Sequence, residues 1–151
     1  MKVRTVKQRN GEQGSALVEF AVSVLILLTV VFGIVDVGRA LYAYDWVSNA
    51  ARLGTRFAMV RGGTCTQLSG GCPAIQSDVV TYINSNAAGI NQNDVTVKTH
   101  CIVGQTSFGL LPCAVGTQVY VEVQYSFSFI SPLIPRHTWV MTSSSQMTVS
   151  R

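Results

Sequence analysis

From Phe20 to Val35 the chain carries no charge and is built chiefly of Val, Leu, Ile, Ala and Phe, and no proline breaks this run or the residues after it as far as Val60. Such a run is too long for a buried strand, and with the residues from Ser15 ahead of it is long enough to cross a bilayer as a helix. Past Asp36, the residues Ala43, Trp46, Ala50, Leu53, Phe57 and Val60 recur at alternating spacings of three and four, which places them along one helix face. Membrane-type run and soluble stripe therefore read as one continuous helix from Ser15 to about Val60, on the order of 70 Å long, of which a bilayer core occupies less than half. A single carboxylate, Glu19, opens the apolar run. An acidic group at that position is expensive in lipid and points to a function.

The formal charge is +4, but Lys2, Arg4, Lys7 and Arg9 all precede Gly14, so the basic excess belongs to a leader. Beyond Arg61 the charges are Asp78, Asp94, Lys98, Glu122, Arg136 and Arg151, too few and too scattered to neutralise a row of phosphates. Nucleic acid is thereby excluded as the expected partner. Basic residues ahead of the apolar run, without a matching cluster after it, place the N-terminus in the cytoplasm and the remainder outside. Cys65, Cys72, Cys101 and Cys113 all fall in that exported part, where disulfides form. Four cysteines allow three pairings, and the short separations favour Cys65 with Cys72 and Cys101 with Cys113. A zinc site is the weaker reading, because neither pair has the two-to-four-residue spacing of a zinc knuckle.

Asp45, Asn49, Arg52 and Arg56 repeat beside the apolar stripe and read as a solvated face. Gly62-Gly63 ends the long helix. After the Cys65 to Cys72 loop, Pro73 is suited to a helix start, and Ile75, Val79, Val80 and Ile83 give a second, short helix an apolar face that closes before Gly89. The period then changes to two. Val95, Val97 and Thr99 alternate with Thr96, Lys98 and His100; Val119, Val121, Val123, Tyr125, Phe127 and Phe129 alternate with Tyr120, Glu122, Gln124, Ser126 and Ser128. Pro132 and Pro135 interrupt the pattern, which Trp139, Met141, Ser143, Ser145, Met147 and Val149 restore. Cys101 and Cys113 lie in the gap between the first two strands, where a disulfide would pin a long hairpin loop. The expected fold is α+β: a long N-terminal helix, its first half transmembrane, packed on a small antiparallel sheet with one additional short helix.

Catalysis is not expected. The sequence holds no nucleophile beside a base, no paired carboxylates and no phosphate-cradling glycine loop, and His100 and His137 are lone histidines. No cofactor, metal or catalytic residue is assigned.

Gly14 followed by Ser15-Ala16-Leu17-Val18-Glu19-Phe20, with the segment GIVDVGR from Gly33 to Arg39 and Ala50-Ala51-Arg52 with Gly54, Arg56 and Ala58, resembles the TadE-like family of the tight-adherence (Flp) pilus apparatus. The resemblance covers about a third of the chain, from Gly14 through Arg61. It implies a pilin-like fold and cleavage between Gly14 and Ser15 by a prepilin peptidase. The chain then divides into a cytoplasmic leader (1–14), a hydrophobic transmembrane and assembly helix (15–36) and an exported α+β domain (37–151). It further implies that the freed Ser15 amine pairs with Glu19 of a neighbouring subunit, next to Phe20, so that Ser15, Glu19 and Phe20 are assembly residues. The implied partners are the prepilin peptidase, other pilins or pseudopilins, pilus assembly components and the bacterial inner membrane. The exported domain would be periplasmic or carried into a surface pilus. Major Flp pilins are much shorter and lack a disulfide-bearing domain, so the resemblance is to a minor pilin or pseudopilin. The competing reading is an uncleaved single-span membrane protein with a structural or adhesive domain, which leaves Gly14 and Glu19 unexplained. Removal of an ordinary signal peptide is weaker still, since Val31-Phe32-Gly33 is a poor cleavage site.

Overall fold

The structure, a computed structural model, describes residues 10–66, 72–103, 106–108, 111–131 and 138–150. The basic residues Lys2, Arg4, Lys7 and Arg9, together with Pro132, Pro135, Arg136, His137 and Arg151, lie outside them. Helix α1 runs unbroken over Asn10–Met59, about 75 Å at 1.5 Å per residue. Helix α2 spans Gln76–Ser85, and a 3-10 turn at Gln92–Asp94 leads into the sheet. The strands are β1 (Val95–Val103), β2 (Thr106–Phe108), β3 (Gln118–Ser128) and β4 (Thr138–Thr148), all antiparallel, in the order β2-β1-β3-β4. This is the α+β helix-on-sheet arrangement expected from the periodicities.

The alternation of β3 is reproduced residue by residue. Val119, Val121, Val123, Tyr125 and Phe127 are buried on the helix side, while Tyr120, Glu122, Gln124 and Ser126 are only partly covered on the other. β3 is central because it pairs with β1 through Val95↔Tyr125 to Ile102↔Gln118 and with β4 through Gln118↔Thr148 to Ser128↔Thr138. Removing each Val or Phe of this row from water stabilises the fold by about 1.5–3 kcal/mol.

The docking face of α1 keeps Ala43 and Ala50 of the expected stripe but is rotated away from its bulky members. Ala43, Val47, Ala50, Ala51, Gly54, Thr55 and Ala58 are buried, whereas Leu53 is 37% exposed and Trp46 and Phe57 are half-buried at the margins. Side-chain size explains the rotation. Small residues let the helix axis approach the sheet, and the aromatic side chains then close the flanks: Trp46 meets Tyr125 edge-on at 6.4 Å and Phe57 stacks on Tyr82 at 4.5 Å. The tightest point is Gly54, where a Cβ would lie 2.8 Å from Ile83 Cδ1 and 3.1 Å from Val121 Cγ1. Asp45, Asn49, Arg52 and Arg56 are exposed, as expected of a solvated face.

Three local boundaries also differ. Helix α2 starts at Gln76, past Pro73, and Ile75 is its exposed N-cap residue, with its N–H donated to Asp78 Oδ2 at 3.0 Å. Gly89 does not close α2, which ends at Ser85; it occupies a later turn at φ 72°, in the left-handed region that favours glycine. Cys101 sits within β1 rather than in the loop after it, and that loop folds back as the three-residue strand β2. Too short to carry a period, β2 left no alternating signal.

Candidate functional site

The exposed half of α1 is the first element of the site. No described element packs over its apolar side chains: Leu17, Phe20, Leu25 and Ile34 are each more than 60% exposed, and the stretch from Ser15 to Val35 is about 30 Å long, the thickness of a bilayer's hydrocarbon core. This helix is long and apolar enough to cross a membrane. Two of its hydroxyls are satisfied within the helix, Ser23 Oγ donating to the Glu19 carbonyl at 2.9 Å and Thr29 Oγ1 to the Leu25 carbonyl at 2.8 Å. Lipid offers no other partner for them. Gly14, Ser15, Glu19 and Phe20 stand together at the start of this stretch, all exposed. Helical geometry sets Ser15 and Glu19 one turn apart on the same face. Among the described residues the Glu19 carboxylate has no hydrogen-bond or ion-pair partner, and apart from the helix's own backbone no described atom lies within 4 Å of where a Cβ on Gly14 would be.

The second element lies where the apolar run ends. Asp36 is only 3% exposed. Its Oδ1 accepts hydrogen bonds from the Ile130 N–H at 3.1 Å and from Arg39 Nη1 at 3.4 Å, and its Oδ2 accepts one from the Ser131 N–H at 2.9 Å. One carboxylate thus fastens the end of the β3 segment to the helix, at the junction between the exposed apolar half and the packed half. Arg39 lies over the Phe127 ring at 5.2 Å and shields the same junction. A cleft of about 330 Å³ opens beside it, lined by Val35, Gly38, Tyr42, Ile90 and Phe127. The sequence marked Asp36 only as the first charge after the apolar run; its clamp role needed the tertiary contact, although the acid-to-Arg39 spacing of three on a helix was a usable signal.

The cysteines occupy the opposite end. Both pairs form as expected, Cys65 with Cys72 and Cys101 with Cys113, and the Gly63 N–H donated to the Cys113 carbonyl at 2.9 Å joins the two loops. The structure therefore separates the expected site residues into two sets, Gly14 to Phe20 at one end of the molecule and the disulfides at the other. His100 lies on neither set: it tilts against the Tyr120 ring at 4.4 Å on the partly covered sheet face. On that face Glu122 accepts from the Tyr120 hydroxyl at 3.1 Å and from Gln124 Nε2 at 2.6 Å.

A long helix with one half bare and apolar, the other half bound to a small antiparallel sheet, and a carboxylate set just inside the bare end define a class of helix-anchored α+β proteins. The family model described as TadE-like protein matches residues 14–56, which span Gly14, Glu19, Asp36 and the helix face up to Arg56. Residues 14–56 are thus similar to the TadE-like family, the resemblance their residues suggested. No curated protein and no solved structure matches the chain.

Proposed function

We propose that the chain is a minor pilin or pseudopilin that takes part in assembly of a tight-adherence pilus or a related secretion apparatus. The carrying observation is Glu19: an exposed carboxylate without a partner among the described residues, one turn past Ser15 on a bare apolar helix. In this reading a prepilin peptidase at the inner membrane cuts between Gly14 and Ser15, residues 1–14 are the cytoplasmic leader, 15–36 the transmembrane and assembly helix, and 37–151 the periplasmic domain. The TadE-like match over residues 14–56 supports the pilus association. The open space around Gly14 supports access by a peptidase, although the backbone is helical there and must unwind locally to enter an active site.

Cleavage frees the Ser15 α-amine, whose ordinary pKa near 7.7–8.0 leaves it largely cationic at neutral pH. Within one subunit the amine and Glu19 share a helix face; between subunits, sliding one helix by about a turn sets the amine of one against the carboxylate of the next. Either charge alone is strongly unfavourable in a low-dielectric bundle, and the pair offsets that cost while fixing axial register. Two experiments test this. N-terminal sequencing of protein from native membranes containing the peptidase should begin at Ser15; a chain still beginning at Met1 or Lys2 supports the uncleaved anchor instead. Glu19→Ala should leave processing and membrane level intact, or raise the latter, while reducing co-purification with pilus components and surface piliation. Normal piliation by that variant removes the charge-pairing mechanism and leaves Glu19 as a residue favoured by the helix dipole.

A further inference from the structure

We propose that the end of the sheet nearest the apolar half of α1 rests on the bilayer, with Ile130, Trp139 and Val140 in contact with the boundary between lipid headgroups and acyl chains. This inference rests on the reading of residues 15–36 as the membrane anchor. The depth of these residues follows from the contacts between sheet and helix. Strand β4 runs along α1, since Ser145 accepts from Thr55 and the Ser150 N–H reaches the Met59 carbonyl, so its later residues lie at the far end of the helix. Its first residues lie at the near end: Trp139 is paired with Phe127, whose ring sits beneath Arg39, and Ile130 is tied through its N–H to Asp36. Asp36 immediately follows Val35, the last residue of the charge-free run. A bilayer that covers Ser15 to Val35 therefore has its surface at the level of Ile130 and Trp139.

The side chains at that level have the chemistry of the interface. Ile130 is 61% exposed, Trp139 63% and Val140 54%, while the exposed residues farther along β4 are Thr142, Ser144, Gln146 and Thr148. Among the described residues of the four strands, Trp139 and Val140 are the exposed large apolar side chains. They stop where the anchor stops. Scattered single apolar residues on a surface need no explanation, but a change from apolar to polar along one strand, in step with the end of an exposed apolar helix, does. Tryptophan is suited to this depth because its ring is apolar and its N–H can reach headgroups or water. Trp139 and Val140 stand on opposite faces of β4, so the strand end is apolar on both sides, and Ile130 is tied to Asp36 next to Val35, which brings the same lipid surface to all three. With the sheet end rested on the bilayer and Asp36 bracing the junction, the domain is held in one orientation about its anchor, which presents the same helix face to each incoming neighbour.

The test uses the full chain in phosphatidylcholine vesicles, with and without lipids brominated near the headgroup. Trp46→Phe leaves Trp139 as the sole tryptophan; if that variant folds poorly, the difference between the unaltered chain and Trp139→Phe isolates the same signal. Trp139 emission should move to shorter wavelength on insertion and fall about twofold or more with shallow bromines, and acrylamide should quench it weakly. A control carries Leu25→Trp in a chain with Trp46→Phe and Trp139→Phe. If the Leu25→Trp probe is not quenched by deep bromines, the anchor reading fails and this proposal with it. If that probe is quenched but Trp139 is open to acrylamide and indifferent to bromine, the anchor stands and the proposal is overturned. Trp139 shielded from acrylamide yet indifferent to bromine, to a degree that rises with the protein-to-lipid ratio, would assign the patch to a second copy and equally overturn it.

Discussion

Gly54 is the point at which the packing of this domain is most sensitive to a single atom. A Cβ there would lie 2.8 Å from Ile83 Cδ1, 3.1 Å from Val121 Cγ1 and 3.3 Å from Val79 Cγ1, against the ~3.5–4.0 Å of ordinary carbon contacts. Two of the three neighbours are stiff β-branched valines, and Val79, Ile83 and Val121 are each at most 1% exposed, so little room exists for retreat. For Gly54→Ala, helix propensity favours the substitution by about 1 kcal/mol and overpacking opposes it by about 1–3 kcal/mol. The expected net is a loss of about 0–2 kcal/mol, where an exposed helix glycine would show a gain. Gly54→Leu adds three further carbons to a filled space and should cost more than about 3 kcal/mol, or roughly 10 °C in Tm for a domain of this size. The measurement is thermal unfolding of the full chain in detergent micelles by near-UV circular dichroism, for which the Trp46–Tyr125 contact supplies a tertiary signal. Ile83→Val shortens the side chain that comes closest, so it should cost less in the Gly54→Ala background than alone. Gly54→Ala stabilised by the full propensity gain, with Gly54→Leu unfolding like the unaltered chain and no coupling to Ile83, would refute the close approach of α1 to α2 and β3.

Asp36→Ala removes the acceptor of two backbone N–H groups, and hydrogen exchange at Ile130 and Ser131 should accelerate by about tenfold or more while Val121 and Val123 change little; equal acceleration everywhere would mean global destabilisation rather than loss of a local clamp. Replacing Cys101 and Cys113 together by Ser opens a loop closed over a separation of 12 residues and should lower stability by about 3 kcal/mol on the chain-entropy account, read as a lower urea midpoint; an unchanged midpoint would mean that β1, β2 and β3 hold the loop unaided. Gly14→Leu should leave the leader attached, seen as an unshifted intact mass in cells with an active prepilin peptidase, whereas normal trimming of that variant would move the cut elsewhere. Phe127→Ala empties a site only 1% exposed beneath Arg39, with an expected cost of about 3–5 kcal/mol by the same unfolding assay.

Periodicity and local chemistry carried most of the secondary structure. The stretch from Ser15 to Val35, uncharged after Glu19, reads as a helix long enough for a bilayer, and the alternation of β3 reads as a strand with one dry face, because each pattern favours the one conformation that groups its apolar atoms together. The local cysteine pairs were legible for a related reason, since short loops confine their ends. Gly14, Ser15, Glu19 and Phe20 stand together in the structure simply because they lie within two helical turns, and no long-range contact is needed to bring them together. What depended on tertiary structure was every choice among faces and ends. The three-and-four spacing selected Ala43, Trp46, Ala50, Leu53, Phe57 and Val60; Ala43 and Ala50 are indeed buried, but Ala51, Gly54 and Ala58 join them while the bulkier Trp46, Leu53 and Phe57 are left at the margin, because the closeness of two backbones is set by how little stands between them. The strand order β2-β1-β3-β4, the clamp of Asp36 on Ile130 and Ser131, and the gathering of both disulfides at the end remote from the apolar helix join residues up to 95 positions apart. A contact of that span leaves no periodic trace in the chain; it exists only once the helix and the sheet have covered one another.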